Sequence, residues 1–140
     1  LRIVGSGEDE LKLKKQAKEL GILERIDFVP VTNDVEKYYS TSSFYCLSSR
    51  FEGFGMVMIE AQAFGLPVVA FDCDAGPSDI IEHGKNGYLV EKDNPKLLAH
   101  YINLVIEKTD KQYDVMVSDS KCKNDKFILS NVINEWIKII

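Results

Sequence analysis

The chain has 140 residues, 45% hydrophobic and 28% charged, which suits one domain with a sizeable core and excludes a disordered tail; a domain of that length buries roughly two-thirds of its unfolded surface. Seventeen Lys and Arg against 22 Asp and Glu leave a net charge of -5, a balance that argues against a nucleic-acid partner, which needs a basic footprint. No apolar run approaches the ~20 residues that cross a bilayer.

In chain order, LRIV (1–4) reads as a strand and GSGE as a turn, followed by a helix in which Leu13, Ala17 and Leu20 fall at helical spacing and Gly21 supplies the cap. IDFV (26–29) is a second strand, stopped by Pro30, and NDVEKYYS a short helix capped by Asn33 or Asp34. SFYCL (43–47) is a third strand. After the loop SSRFEGFG, MVMIEAQAF (56–64) is helical, and Gly65-Leu66-Pro67 breaks it. PVVAF (67–71) is the fourth strand, PSDII (77–81) a short helix opened by Pro77, and GYLV (87–90) the fifth strand. From Asn94 onward the chain reads as helical: NPKLLAHYINLVIEK (94–108), then a mixed-charge stretch, then FILSNVINEWIKII to the end.

Strands alternating with helices imply crossover connections, and therefore a Rossmann-like, doubly wound α/β domain with a parallel sheet and a helical C-terminal tail. An opening on an apolar strand leads us to expect an N-terminally truncated fragment of a longer protein, with the sheet short of a strand or two at the front. Cys46, Cys73 and Cys122 are odd in number and far apart. That spacing suits neither zinc nor a disulfide framework, and reads as a reduced, cytoplasmic setting. His83 and His100 lack partners at metal-binding spacing, so no metal is expected.

Ligands of such sheets bind beyond the carboxyl ends of the strands, where three loops fall: 5–8, 48–55 and 72–77. Gly5-Ser6-Gly7 is a weak signal, and the third glycine of a dinucleotide fingerprint would stand at Glu10. A nicotinamide oxidoreductase is disfavoured. In the second loop Glu52 and Glu60 have seven residues between them, and Gly53 and Gly55 flank Phe54 before the helix begins. Main-chain N–H groups of Phe54, Gly55, Met56 and Val57 can bind an anion there. Glu60 is the only charge between Gly53 and Phe71. A carboxylate in so apolar a run reaches solvent, pairs with Arg50, or accepts hydrogen bonds from a vicinal diol such as a ribose. Asp72-Cys73-Asp74 also spells a pattern by which two carboxylates hold Mg²⁺ or Mn²⁺ against phosphates.

LRIVGSGEDE, SSRFEGFGMVMIEAQAFGLPVVAFD, AGPSDIIEHGKNGYLV and INEWIKII together resemble, nearly end to end, the retaining group 1 glycosyltransferases of the GT-B fold. The resemblance implies the C-terminal, donor-binding half of a two-domain enzyme that uses a UDP-sugar as substrate, without a further cofactor, and transfers its glycosyl group with retained configuration. It implies that Glu52, the candidate catalytic residue, contacts hydroxyls of the donor sugar. The main chain of Phe54, Gly55, Met56 and Val57 would bind sugar and diphosphate, Glu60 the ribose, and Gly5 with Gly7 would line the phosphate side. The acceptor, a sugar or lipid-linked sugar, would be held by a missing N-terminal domain, which leaves open a peripheral place for the full-length enzyme at the cytoplasmic membrane face. This chain departs from the family at Ser6, where an acid is usual, and at Phe28-Val29-Pro30, where Phe-x-Gly is usual. The family's Arg and Lys that offset diphosphate charge fall upstream of Leu1. Two rivals are a non-catalytic flavodoxin-like switch module, which would want an acidic cluster after the first strand, and a nucleotide-sugar epimerase of related fold.

Overall fold

In the computed structural model, which describes residues 1–139, the chain forms two compact units, Leu1–Tyr38 and Tyr39–Ile140. In the first, β1 (Arg2–Val4) leads to α1 (Glu10–Glu19), a 3-10 turn (Leu23–Arg25) and β2 (Asp27–Val29). β1 and β2 pair in parallel, with Ile3 opposite Phe28. Gly21 ends α1 as expected: the Gly21 N–H donates to the Lys18 carbonyl (3.0 Å) and that of Ile22 to Ala17 (2.9 Å). This double closure satisfies carbonyls that the last turn leaves open. α2 (Glu36–Ser40) starts later than the Asn33 or Asp34 cap would place it. The Asp34 N–H instead donates to Thr32 Oγ1 (3.1 Å), a local turn that competes with helix initiation.

The second unit runs β3 (Tyr45–Leu47), α3 (Met56–Ala63), β4 (Val68–Asp72), α4 (Pro77–Ile80), β5 (Gly87–Glu91), α5 (Pro95–Ile106), α6 (Asp110–Asn124), a 3-10 turn (Asp125–Phe127) and α7 (Leu129–Ile137). Its sheet has the order β3-β4-β5 and is parallel throughout. β4 is central and buried on both faces. Side chains alternate along a strand, so Val68 and Ala70 join Leu47, Met58, Ile59, Ala61, Leu66, Ile80 and Ile81 on one face. Val69 and Phe71 join Tyr88, Val90, Leu98, Val105 and Met116 on the other. At about 25 cal/mol per Å² of apolar surface, burial on two faces is the main stabilising contribution to this unit.

The mixed-charge stretch after α5 is itself a helix, α6, as the helical reading from Asn94 onward expects. Its start carries a capping box: Thr109 Oγ1 accepts from the Gln112 N–H, and Gln112 Oε1 accepts from the Thr109 N–H. It buries Met116 and Ser120; the Ser120 hydroxyl donates back to the Met116 carbonyl (2.9 Å). Met116 and Ser120 are its only buried residues, so hydrophobic periodicity is weak and the helix is marked by its cap.

Gly76 locks the chain between β4 and α4. Its φ is +95°, and a Cβ there would lie 1.9 Å from the Phe54 carbonyl oxygen. Gly84 has a similar φ of +84° but open space around it. Gly76→Ala is therefore expected to cost about 2–4 kcal/mol, combining backbone strain with overpacking, and Gly84→Ala about 1 kcal/mol. Urea unfolding of the two variants checks this. A second expectation concerns the thiols. Burial pushes Cys46 up to about 11 from an ordinary 9.0. Burial also raises Cys73, while Cys122 is exposed. A thiol reagent at pH 8 should label Cys122 rapidly and the other two only on unfolding. Because folded Cys46 keeps its proton where the unfolded chain loses it, stability should fall as pH rises from 9 towards 11.

Candidate functional site

β3 and β4 are adjacent and parallel, so the loops that leave their carboxyl ends emerge side by side. The first spans residues 48–55 and the second 73–76. Two contacts tie them together. The Cys73 thiol donates to the Ser49 carbonyl (3.6 Å), and Gly76 seats against the Phe54 carbonyl. The Phe54 ring meets Phe127 edge-on, with centroids 5.7 Å apart. The loop that carries Glu52, Phe54 and Gly55 is thus held by main-chain and aromatic contacts.

Gly55 is the N-cap of α3, with φ of +85°. A Cβ there would meet only the flexible end of Met58, so the positive φ is what calls for glycine. Met56 and Val57 occupy the first turn, where helical N–H groups have no intrahelical acceptor. Met56 is exposed and Val57 half-buried. These amides, with the positive end of the helix dipole behind them, are a set of donors of the kind that can bind an anion.

α3 buries Met58, Ile59, Ala61 and Gln62 and leaves one narrow stripe to solvent: Met56, Glu60 and Ala63. Glu60 therefore reaches solvent one turn below the amide terminus. It does not pair with Arg50, whose Nε bonds Asp93 Oδ1 at 2.7 Å. Glu52 is half-buried in the loop. Burial first, and then the charges of Cys46, Glu52 and Glu60, raise the Tyr45 phenol, so both carboxylates act on one ring. Gln62 is fully buried, and neither atom of its side-chain amide has a hydrogen-bond partner among the described residues.

Tyr39 is the functional candidate the sequence reading misses. Its hydroxyl donates to Glu60 Oε2 at 3.0 Å, and its ring stacks on Phe64 with centroids 5.6 Å apart. Burial, then the hydrogen bond to Glu60, push its phenol well above the ordinary range. In the sequence Tyr39 is one of two tyrosines in a polar helix, 21 residues from its partner, and no local pattern marks it.

Asp72 and Asp74 are both exposed, with the buried Cys73 between them. Among the described residues no three His, Cys, Asp or Glu side chains converge to hold a metal ion. Gly5 and Gly7 belong to the first unit, on the turn after β1. The Gly5 N–H donates to the Val29 carbonyl (2.9 Å), and no atom would meet a Cβ at either glycine. An open hollow of about 600 Å³ is lined by other segments, including Lys85, Lys108 and Lys111. No helix of the described residues is long and apolar enough to cross a membrane.

Comparison with known proteins points to one family. The family Glycosyl transferases group 1 matches residues 1–121. An uncharacterised glycosyltransferase of Haemophilus influenzae is 43% identical over the whole chain, which spans 39% of that protein. The amylovoran biosynthesis glycosyltransferase AmsD of Erwinia amylovora is 36% identical over 76% of the chain and 30% of its own length. Among solved structures, HepE of Anabaena in complex with UDP superposes with a TM-score of 0.85 at 27% identity, over 99% of this chain and 40% of that one. A point mutant of TarM from S. aureus, in complex with fondaparinux, alpha-GlcNAc-glycerol and UDP, gives 0.89 at 29% identity, over 98% and 28%. With its parallel α/β architecture and a family match over most of its length, the chain belongs to the group 1 glycosyltransferases.

Proposed function

We propose that residues 1–140 form the donor-binding domain of a longer, two-domain retaining glycosyltransferase that takes a UDP-sugar and glycosylates a sugar or lipid-linked acceptor. The observation that carries this reading is the placement of Glu60. It is the one charge on α3, and it reaches solvent one turn from an amide terminus that begins at Gly55. An anion and a diol spaced like the diphosphate and ribose of a nucleotide fit that pair of features. Relatives support the donor class: HepE has been solved with UDP-glucose, and an Escherichia coli relative, 30% identical, is a lipopolysaccharide 1,6-galactosyltransferase. Three free thiols suit a cytoplasmic setting.

In this reading the N–H groups of Phe54, Gly55, Met56 and Val57 donate to the diphosphate and the sugar. When the sugar–phosphate bond breaks, negative charge grows on the leaving UDP, and donors already aimed at it lower the barrier without reorganising. Glu60 accepts from the ribose hydroxyls. Glu52, on the loop, accepts from hydroxyls of the donor sugar and orients it. Gly5 and Gly7, on the first unit, keep main chain open to close approach by a phosphate group.

Calorimetry separates the two glutamates. Glu60→Gln is expected to weaken UDP by about 1.5–3 kcal/mol, through loss of charge-assisted hydrogen bonds. Glu52→Gln should leave UDP affinity unchanged while transfer from the UDP-sugar by the full-length enzyme drops; the 140 residues alone should turn over no acceptor. An unfolded Glu60→Gln variant, or one with wild-type UDP affinity, would make Glu60 a structural residue and remove the basis of this reading. Because amides face the diphosphate in this scheme, EDTA should not alter UDP affinity. Binding lost on chelation, restored by Mn²⁺ and abolished by Asp72→Asn would place a cation at Asp72 and Asp74 instead.

A further inference from the structure

Glu60 is exposed, and a free glutamate there would sample several rotamers, few of which present its carboxylate to a ligand in one orientation. The structure removes that freedom from the outside. Phe64 caps the C-terminal end of α3, four residues after Glu60. The Tyr39 ring lies on Phe64, with an interplanar angle of 28°, and tilts against Tyr45 at 6.1 Å. These two rings fix where the Tyr39 hydroxyl points, and it points at Glu60 Oε2, 3.0 Å away. The phenol comes from a different element, α2, so the restraint on Glu60 is tertiary.

We propose that Tyr39 is a positioning residue for the nucleotide site: it holds Glu60 Oε2 and thereby presents Oε1 to the ribose diol. The proposal rests on the ribose-binding reading of Glu60 given above. The phenol can only donate to a carboxylate, so the pair has one sense. Burial and the neighbouring carboxylate keep the Tyr39 proton in place through the neutral range. Oε1 then meets the ligand with its lone pairs unspent. Tyr39 itself touches no ligand in this arrangement. Its effect is on the geometry of Glu60 and is confined to nucleotides that carry ribose hydroxyls.

Binding of UDP and of 2′,3′-dideoxy-UDP to wild type, Tyr39→Phe, Glu60→Gln and the double variant tests this. Phenylalanine keeps the ring stack and removes only the hydroxyl. The expected result is UDP weakened about 3–10-fold by Tyr39→Phe, the loss of one ordinary hydrogen bond, with dideoxy-UDP unaffected. The double variant should bind UDP no more weakly than Glu60→Gln alone. If Glu60→Gln weakens UDP while Tyr39→Phe does not, the positioning role is overturned and the ribose reading stands. If Glu60→Gln has no effect, both fall. Equal weakening of UDP and dideoxy-UDP by Tyr39→Phe would mark a general structural role and overturn the proposal. A second measurement needs no variant. The NMR resonance of the ¹³C-labelled Tyr39 ring in the wild-type protein should shift with UDP and not with dideoxy-UDP; equal shifts, or none, would count against it.

Discussion

Everything in the second unit is set by the two-sided burial of β4. Val68, Val69, Ala70 and Phe71 are each at most 6% exposed, alternating between two apolar clusters. A strand covered on both faces has no solvent side to orient it, so helices must lie against each face, and parallel connections put them there. β3 and β5 take their register from this strand, Cys46 opposite Val69 and Tyr88 opposite the same residue. Asp72 is the first exposed residue along it. That is where the chain leaves the core, and where a binding edge can form.

The edge formed by these loops depends on close main-chain approach. Adjacent strands bring the loops after β3 and β4 near one another, but neighbouring loops ordinarily move independently. Here the absence of a side chain at Gly76 lets two backbones meet, and Cys73 reaches across to Ser49. The requirement is steric: a single methyl group would collide with the Phe54 carbonyl. The amide terminus of α3 is therefore placed by packing in the adjacent loop as much as by its own helix.

The acids of the edge are accommodated in a complementary way. α3 has so little exposed surface that a charge survives only on the stripe of Met56, Glu60 and Ala63. The rings around it absorb the consequence. Tyr39 and Tyr45 both hold their protons more tightly than free phenols, chiefly because they are buried and then because carboxylates stand near them. Aromatic packing and acid placement are thus one arrangement, in which the Tyr39 hydroxyl donates to the Glu60 carboxylate.

Much of this was legible in the sequence. Short apolar runs bounded by Gly and Pro read as strands because they are too short for ordinary helices and rich in β-branched and aromatic residues. The parallel α/β class follows from their alternation with helices. Glu52, Gly55 and Glu60 stand out because glycine before a helix and a lone charge within apolar residues are both costly without a reason. The helical run from Asn94 onward was legible too, and Thr109 with Gln112 marks where α6 begins within it. The remaining facts depend on residues far apart in sequence: Arg50 pairs with Asp93, Tyr39 with Glu60, and Gly76 with Phe54. Local propensity reaches a turn or two along the chain. Partner choice is made by the crossovers that fold distant segments together, and only the tertiary structure decides it.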